Sequence, residues 1–313
     1  MKNFNEKKVH VPVMLEEAIN GMNITPQGFY VDCTLGEGGH SSNILSLLGK
    51  DGILLSVDRD INAIDFVKGF YKDKFISTKN TPKWLLFQSN YSELVKVFSN
   101  TEIKSETSNR KANGILMDLG LSSRQLEVEP KGFSYIEESQ PLDMRMDENL
   151  AVTAKDLLNV LLEGELTKLF RIYGEERFAG PIAREIKANI EKINTVGDLV
   201  KVVYKVIPSR LIKADKHHPA RRIFQALRIA VNDEINSLNK GIDGAFECLD
   251  KKGRLVIITF HSLEDRAVKQ KFDEYERKGI ATNLTKKHLL PSETEINSNP
   301  RSHSAKMRIL EKL

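Results

Sequence analysis

The sequence predicts an α/β fold: a parallel sheet with helices on its faces, interrupted by a mainly helical insertion. Three observations predict it. Strand-like apolar runs alternate with helix-like stretches over roughly the first 120 residues. A glycine-rich turn, "DCTLGEGGHS" at 32–41, directly follows the first apolar run. From about 150 to 206 the apolar period changes to 3.6 and strand signals stop, until "KGRLVIITFHS" (252–262) restores a buried-strand pattern.

Each element follows in order. "GFYVDC" reads as the first strand and "HSSNILSLLG" as a helix ending at Gly49. "GILLSVD" (52–58) is the second strand, "INAIDFVKGFY" the second helix, "WLLFQSN" (84–90) the third strand and "GILMDLG" (114–120) the fourth. The polar stretch "NTEIKSETSNRKAN" (100–113) predicts a flexible surface insertion. Thr153 and Thr195 each precede a helical stretch with an acid three residues on (Asp156, Asp198), the capping-box pattern. Pro181 cannot sit inside a helix, so one starts or kinks near Gly180, with Ile182, Ala183, Ile186 and Ile190 on one face. There is no internal repeat.

Composition narrows the class. The chain has 313 residues, 40% apolar and 29% charged, ordinary for a globular protein. No apolar run approaches the ~18 residues of a membrane span. The N-terminus "MKNFNEKKVHVPVM" has the charge of a signal peptide without its apolar segment. Cys33 and Cys248 show neither disulfide nor zinc spacing. These features lead us to expect a reduced, cytoplasmic protein. Nothing in the His, Cys and Asp spacing demands a metal, and monomer and homodimer both stay open. The net charge of +4 is uneven: Lys201 to Arg228 carries +7, so the rest sums to −3. Such a stripe fits a polyanion met by one face, or a solvated helix face.

The glycine turn suits a nucleotide-type ligand, because backbone amides can approach where no side chain intervenes. Asp58 ends the second strand 19 residues past Gly39, where a carboxylate can accept from both ribose hydroxyls. An adenosine-containing cofactor follows, either a dinucleotide or S-adenosylmethionine. The dinucleotide fingerprint needs a third glycine, and position 41 is Ser. Asp32 would oppose a pyrophosphate but suits a cationic amino-acid end; alternatively it is a turn acceptor. An NAD-dependent oxidoreductase leaves the basic stripe unexplained.

Further motifs gather after the fourth strand. "MDLGLSSRQL" (117–126) places Asp118, Ser122 and Ser123 at the carboxyl edge of the sheet, where open α/β sheets bind ligands. With "GFSYIEESQPLDMRMD" (132–147), "YGEERFA" (173–179), "HPARRIFQALRIAVNDE" (218–234) and "FHSLEDRAVK" (260–269), the sequence resembles the RsmH (MraW) family. The likeness runs from "HVPVMLEEAI" (10–19) to "NPRSHSAKMRILE" (299–311). That family comprises S-adenosylmethionine-dependent methyltransferases of the exocyclic N4 of a cytidine in 16S ribosomal RNA of the small ribosomal subunit.

The resemblance implies a class I (Rossmann-like) methyltransferase core over 1–130 and 222–313, and an inserted, mainly helical domain for RNA recognition over 131–221. It places the cofactor on Gly38, Gly39, His40, Asp58, Tyr91, Asp118 and Gln125. Tyr91 stands where relatives often have Phe, and Cys33 where Gly is common. The D/N-P-P-Y/F motif of other amino-methyltransferases is absent, so Ser122 and Ser123 are the leading acceptors for the base. His261 is a further catalytic candidate, or else a satisfied turn histidine. Asp143 and Arg145 either clamp substrate or pair within their loop. Lys213, Lys216, His218, Arg221, Arg222 and Arg228 are the candidates for RNA phosphates. Phe224 and Leu227 are expected to pack inward. A non-catalytic RNA-binding or assembly protein is the third reading.

Overall fold

The computed structural model describes residues 11–75, 80–120, 130–214 and 217–313. Two compact units emerge: Met1–Ser122 with Ile235–Leu313, and Ser123–Glu234.

The first unit is built on a seven-stranded sheet. Its strands are β1 (Phe29–Asp32), β2 (Ile53–Asp58), β3 (Lys83–Gln88), β4 (Ala112–Asp118), β5 (Leu249–Thr259), β6 (Ala281–Asn283) and β7 (Lys306–Lys312), in spatial order β3-β2-β1-β4-β5-β7-β6. Strands β1 to β5 pair in parallel, whereas β7 runs antiparallel to β5 and β6. Alternate residues serve opposite faces. Tyr30, Leu54, Leu116 and Val256 meet helices α1 (Leu15–Met22), α2 (Gly39–Leu47) and α3 (Ile61–Phe70) through Met22, Ile44 and Ile64. Phe29, Val31, Leu55, Ile115 and Ile257 share the other layer with Val97 of α4 (Leu94–Ser99) and Ile103 of α5 (Thr101–Glu106). Cys33 and Cys248 are buried in this second layer, so both act as core residues. This is the class I methyltransferase core that the resemblance implies.

The segment 100–113 departs from the expected flexible insertion. Asn100 caps α5 by accepting from the amides of Glu102 and Ile103, and Ile103 anchors the short helix in the core. Ala112 then opens β4. The polar composition concealed a helix held by one buried side chain and a cap.

The inserted unit is helical among its described residues: α6 (Ala154–Val160), α7 (Glu163–Gly174), α8 (Ala179–Ala188), α9 (Val196–Val206), α10 (Ser209–Ala214) and α11 (Arg221–Asn232). Both capping boxes form, at Thr153/Asp156 and Thr195/Asp198. Pro181 falls in the first turn of α8, where its missing amide costs no hydrogen bond. Helix α11 buries Phe224 and Leu227 as its pattern predicts. It crosses α7 at Gly174, where a Cβ would lie 2.7 Å from the Arg222 carbonyl oxygen. That packing gives all of α11 to the inserted unit, so the unit ends at Glu234. The expected boundary at 221/222 would cut the helix at its first turn. The next helix, α12 (Glu234–Cys248), returns the chain to the sheet unit, followed by α13 (Ser262–Arg277) and α14 (Glu293–Ser298). Among the described residues no helix is long and apolar enough to cross a membrane.

Candidate functional site

At the carboxyl edge of the sheet, the ends of β1, β2 and β4 are tied to the glycine turn by hydrogen bonds. Gly36 donates its amide to Asp58 Oδ2 at 2.9 Å, and Asp60 donates to Asp58 Oδ1 at 2.9 Å. The Asp118 amide donates to Thr34 Oγ1 at 2.8 Å. Gly36 and Gly38 take positive φ, 51° and 80°, and Gly38 caps α2. A Cβ on Gly39 would sit 2.6 Å from Pro12 Cγ, so this glycine also lets the N-terminal segment close over the turn.

Asp32 is fully buried and its carboxylate is spent on the turn itself. Oδ1 accepts from the Thr34 amide (3.0 Å), and Oδ2 accepts from Ser41 Oγ (2.6 Å). Ser41 and Ser56 hydroxyls pair at 2.8 Å, and Trp84 Nε1 donates to Ser56 Oγ at 2.9 Å. The turn-acceptor reading therefore replaces the ligand reading for Asp32. Thr34, two residues after an Asp, was the available sign of this Asx-type turn; Ser41 gave no sign beyond being polar.

Two carboxylates remain for a ligand. Burial pushes Asp58 up to about 6 against the opposing pull of the Asp60 and Gly36 amides. Burial likewise pushes Asp118 up to about 6, with His40 pulling the other way. Asp118 Oδ1 is buried and accepts no hydrogen bond among the described residues. An orphaned carboxylate oxygen at this edge fits a ligand that brings a donor or a positive charge. The ring of His40 is turned inward: Nε2 lies 3.0 Å from the Val13 carbonyl, so it carries the proton, and Nδ1 faces Asp118 Oδ2 at 3.7 Å. His40 thus lies beside Asp118 without a hydrogen bond to it. Tyr91 follows β3 and packs its ring against Gly241, where a Cβ would lie 2.5 Å from Cδ2.

Ser122, Ser123 and Gln125 lie outside the described residues. His261 is the N-cap of α13: Nδ1 accepts from the Glu264 amide at 3.3 Å, and Nε2 is buried without a hydrogen bond, 3.1 Å from Glu264 Oε1. Nδ1 thus serves as the cap acceptor of the alternative reading, while Nε2 stays buried without a hydrogen-bond partner among the described residues. Asp143 and Arg145 pair within their loop (Nε–Oδ1 2.7 Å, Nη2–Oδ2 2.8 Å). Burial raises Asp143, but the Arg145 hydrogen bonds outweigh it and hold the carboxyl below its usual range. Arg145 also donates to the carbonyls of Glu148 and Leu150, which makes it a loop brace.

The basic stripe is smaller than its charge count. Lys201 faces Asp198 at 3.9 Å, Lys205 pairs with Glu185 at 2.6 Å, and Arg228 grips Glu234 with two bonds of 2.8 and 2.9 Å. Arg228 therefore leaves the set of phosphate candidates, its guanidinium being already matched. His218 leaves it too: burial lowers its pKa, so it stays neutral at physiological pH. Lys216 lies outside the described residues. Lys213, Arg221 and Arg222 have no acidic partner among the described residues, and Arg221 Nε is a buried donor with no acceptor among them.

The comparisons agree with the motifs. A family model described as the MraW methylase family matches residues 7–313. A ribosomal RNA small subunit methyltransferase H from Brevibacillus brevis is 39% identical over 97% of this chain and 98% of its own. The proteins of that name from Paenibacillus sp. and Clostridium botulinum (strain Loch Maree) are 40% and 41% identical, each over 97% of this chain and 99% of theirs. On a match spanning nearly its whole length, the chain belongs to the MraW methylase family.

Proposed function

We propose that this chain transfers a methyl group from S-adenosylmethionine to the exocyclic N4 of a specific cytidine in 16S ribosomal RNA of the small ribosomal subunit, in the cytoplasm. The observation that carries the reading is the orphaned Asp118 oxygen beside the glycine turn and Asp58. When bound, S-adenosylmethionine supplies a methyl group made electrophilic by its sulfonium. Asp58 keeps a lone pair on each oxygen for ribose hydroxyls after serving its two amides. Asp118 meets donor or cationic groups of the cofactor, and Tyr91 and Gln125 complete its surroundings.

The cytosine amine is a weak nucleophile, because its lone pair is delocalised into the ring. The protein's task is therefore placement, worth on the order of 7–11 kcal/mol in well-oriented cases. Ser122 and Ser123 are the proposed acceptors for the N4 hydrogens, stabilising the positive charge that develops there. The methylated amine then sheds its proton without a strong base. His261 is assigned to capping rather than chemistry. Nucleoside mass spectrometry of ribosomal RNA from cells with and without the gene tests the reading. Loss of N4-methylcytidine on deletion is expected, and an unchanged level would refute it.

Lys213, Arg221 and Arg222 are proposed to meet RNA phosphates. Replacing Arg221 and Arg222 together by Ala should lower the salt slope of RNA binding by about 1.4, the value for two contacts on a single strand. Filter binding across a salt series measures it. An unaltered slope would place both arginines away from the phosphates.

A further inference from the structure

Within the inserted unit an aromatic group stands apart from the chemistry described so far. The Tyr135 ring lies face to face with the imidazole of His218, centroids 4.5 Å apart and planes 13° from parallel. Tyr204 meets the same imidazole edge-on, at 5.6 Å and 77°. Behind them, Phe224 contacts Tyr135 edge-on at 6.0 Å and 85°.

The group is layered from core to solvent. Phe224 is 3% exposed and belongs to the core, whereas Tyr204 is 42% exposed and Tyr135 and His218 are half-buried. A purely structural cluster would bury its rings or tie its hydroxyls to partners. Here neither tyrosine hydroxyl has a hydrogen-bond partner among the described residues. His218 is fixed by its Nδ1, which accepts from the Ala220 amide at 3.2 Å in the turn leading into α11. Held neutral by burial, its ring stacks on Tyr135 as a π face rather than carrying a charge, and so sets the two tyrosines together. Arg221, with its orphaned buried Nε, follows three residues later, and Lys213 lies on α10 just before. Flat half-exposed rings with unmatched cations in the same segment are the two elements that single-stranded nucleic acid requires: a stacking surface for a base and donors for its phosphate.

We infer that the Tyr135–His218–Tyr204 group is a stacking platform for an unpaired nucleobase of the RNA substrate, with Arg221 donating to the adjoining phosphate. This rests on the RNA-methyltransferase reading above. Stacking selects an unpaired base rather than a particular one, because every base has a π face.

The test uses the full-length protein and a short single-stranded RNA from the small-subunit sequence, read by fluorescence anisotropy. Calorimetry of S-adenosylhomocysteine serves as the control for folding. Tyr204→Ala should weaken RNA binding about 5- to 100-fold, and Tyr204→Phe should bind within about twofold of wild type. Affinity for S-adenosylhomocysteine should be unchanged in both. Equal RNA affinity in Tyr204→Ala and wild type would overturn the platform. So would an equal loss in Tyr204→Phe, since the hydroxyl and not the ring face would then make the contact. If wild-type protein incorporates no labelled methyl into small subunits, the underlying RNA reading fails instead, and the platform falls with it.

Discussion

Lowering the pH from about 7.5 to about 5 should weaken S-adenosylhomocysteine binding on the order of 10-fold for each of Asp58 and Asp118, and about 100-fold if both must be ionised. Both carboxyls titrate at about 6, pushed up by burial. The amino, carboxyl and thioether groups of the ligand keep their charges across that interval, so the protein supplies the pH dependence. Unfolding does not produce the same curve. Between about pH 4 and 6 the folded chain holds protons on Asp58 and Asp118 that the unfolded chain has released. These two groups therefore add stability as the pH falls through that window. The carboxyls held below their usual range, such as Asp143 and Asp265, withdraw their stabilisation only at lower pH. Calorimetric titration at several pH values checks the expectation. Asp58→Ala should bind more weakly at neutral pH and show a shallower dependence. A flat profile in wild-type protein would place neither carboxylate on the ligand.

Asp32→Ala is expected to cost on the order of 3–5 kcal/mol of unfolding free energy, a large share of the 5–15 kcal/mol that holds a typical domain. The substitution leaves the part-buried Thr34 amide and the fully buried Ser41 hydroxyl without this acceptor. It also releases the far end of the chain that runs through Ser56 to Trp84 Nε1. Urea denaturation followed by tryptophan fluorescence is well placed to see this, because Trp84 is the protein's single tryptophan and belongs to the network. Retained stability with lost cofactor affinity would return Asp32 to the ligand.

Much of this molecule was legible before its structure. The strands are short, apolar and bounded by glycine or charge, so β1, β2, β4 and β5 fall within a few residues of their expected places. The capping boxes at Thr153 and Thr195 are local chemistry, complete within four residues, and both form. What failed depended on partners outside the residue's own element. Helix α5 needed the core that receives Ile103. Arg228 counted as a free cation until Glu234, beyond its own helix, matched it. Asp32 stood open between a ligand contact and a turn acceptor, because no motif shows that Ser41 turns toward it. The platform of Tyr135, Tyr204 and His218 joins three segments that no single motif connects. The candidate ligand edge was readable because Asp58 and Asp118 each end a strand.

The insertion also bears on how the chain is made. Strand β4 pairs with β5 in a register that sets Gly114 beside Arg254, so the sheet's centre joins residues about 140 positions apart. Everything between Ser123 and Glu234 is contiguous, with contacts of shorter range. During synthesis from the N-terminus, the helical unit is therefore complete about 72 residues before the last strand, β7, begins to emerge. Strands β1 to β4 must meanwhile wait with one edge of β4 unpaired. Long-range closure of this kind is slow, and exposed strand edges invite association. The early-finished helical unit shortens the effective loop that β5 must close, so a defect there, at the Gly174 crossing for example, would surface as a failure of the sheet.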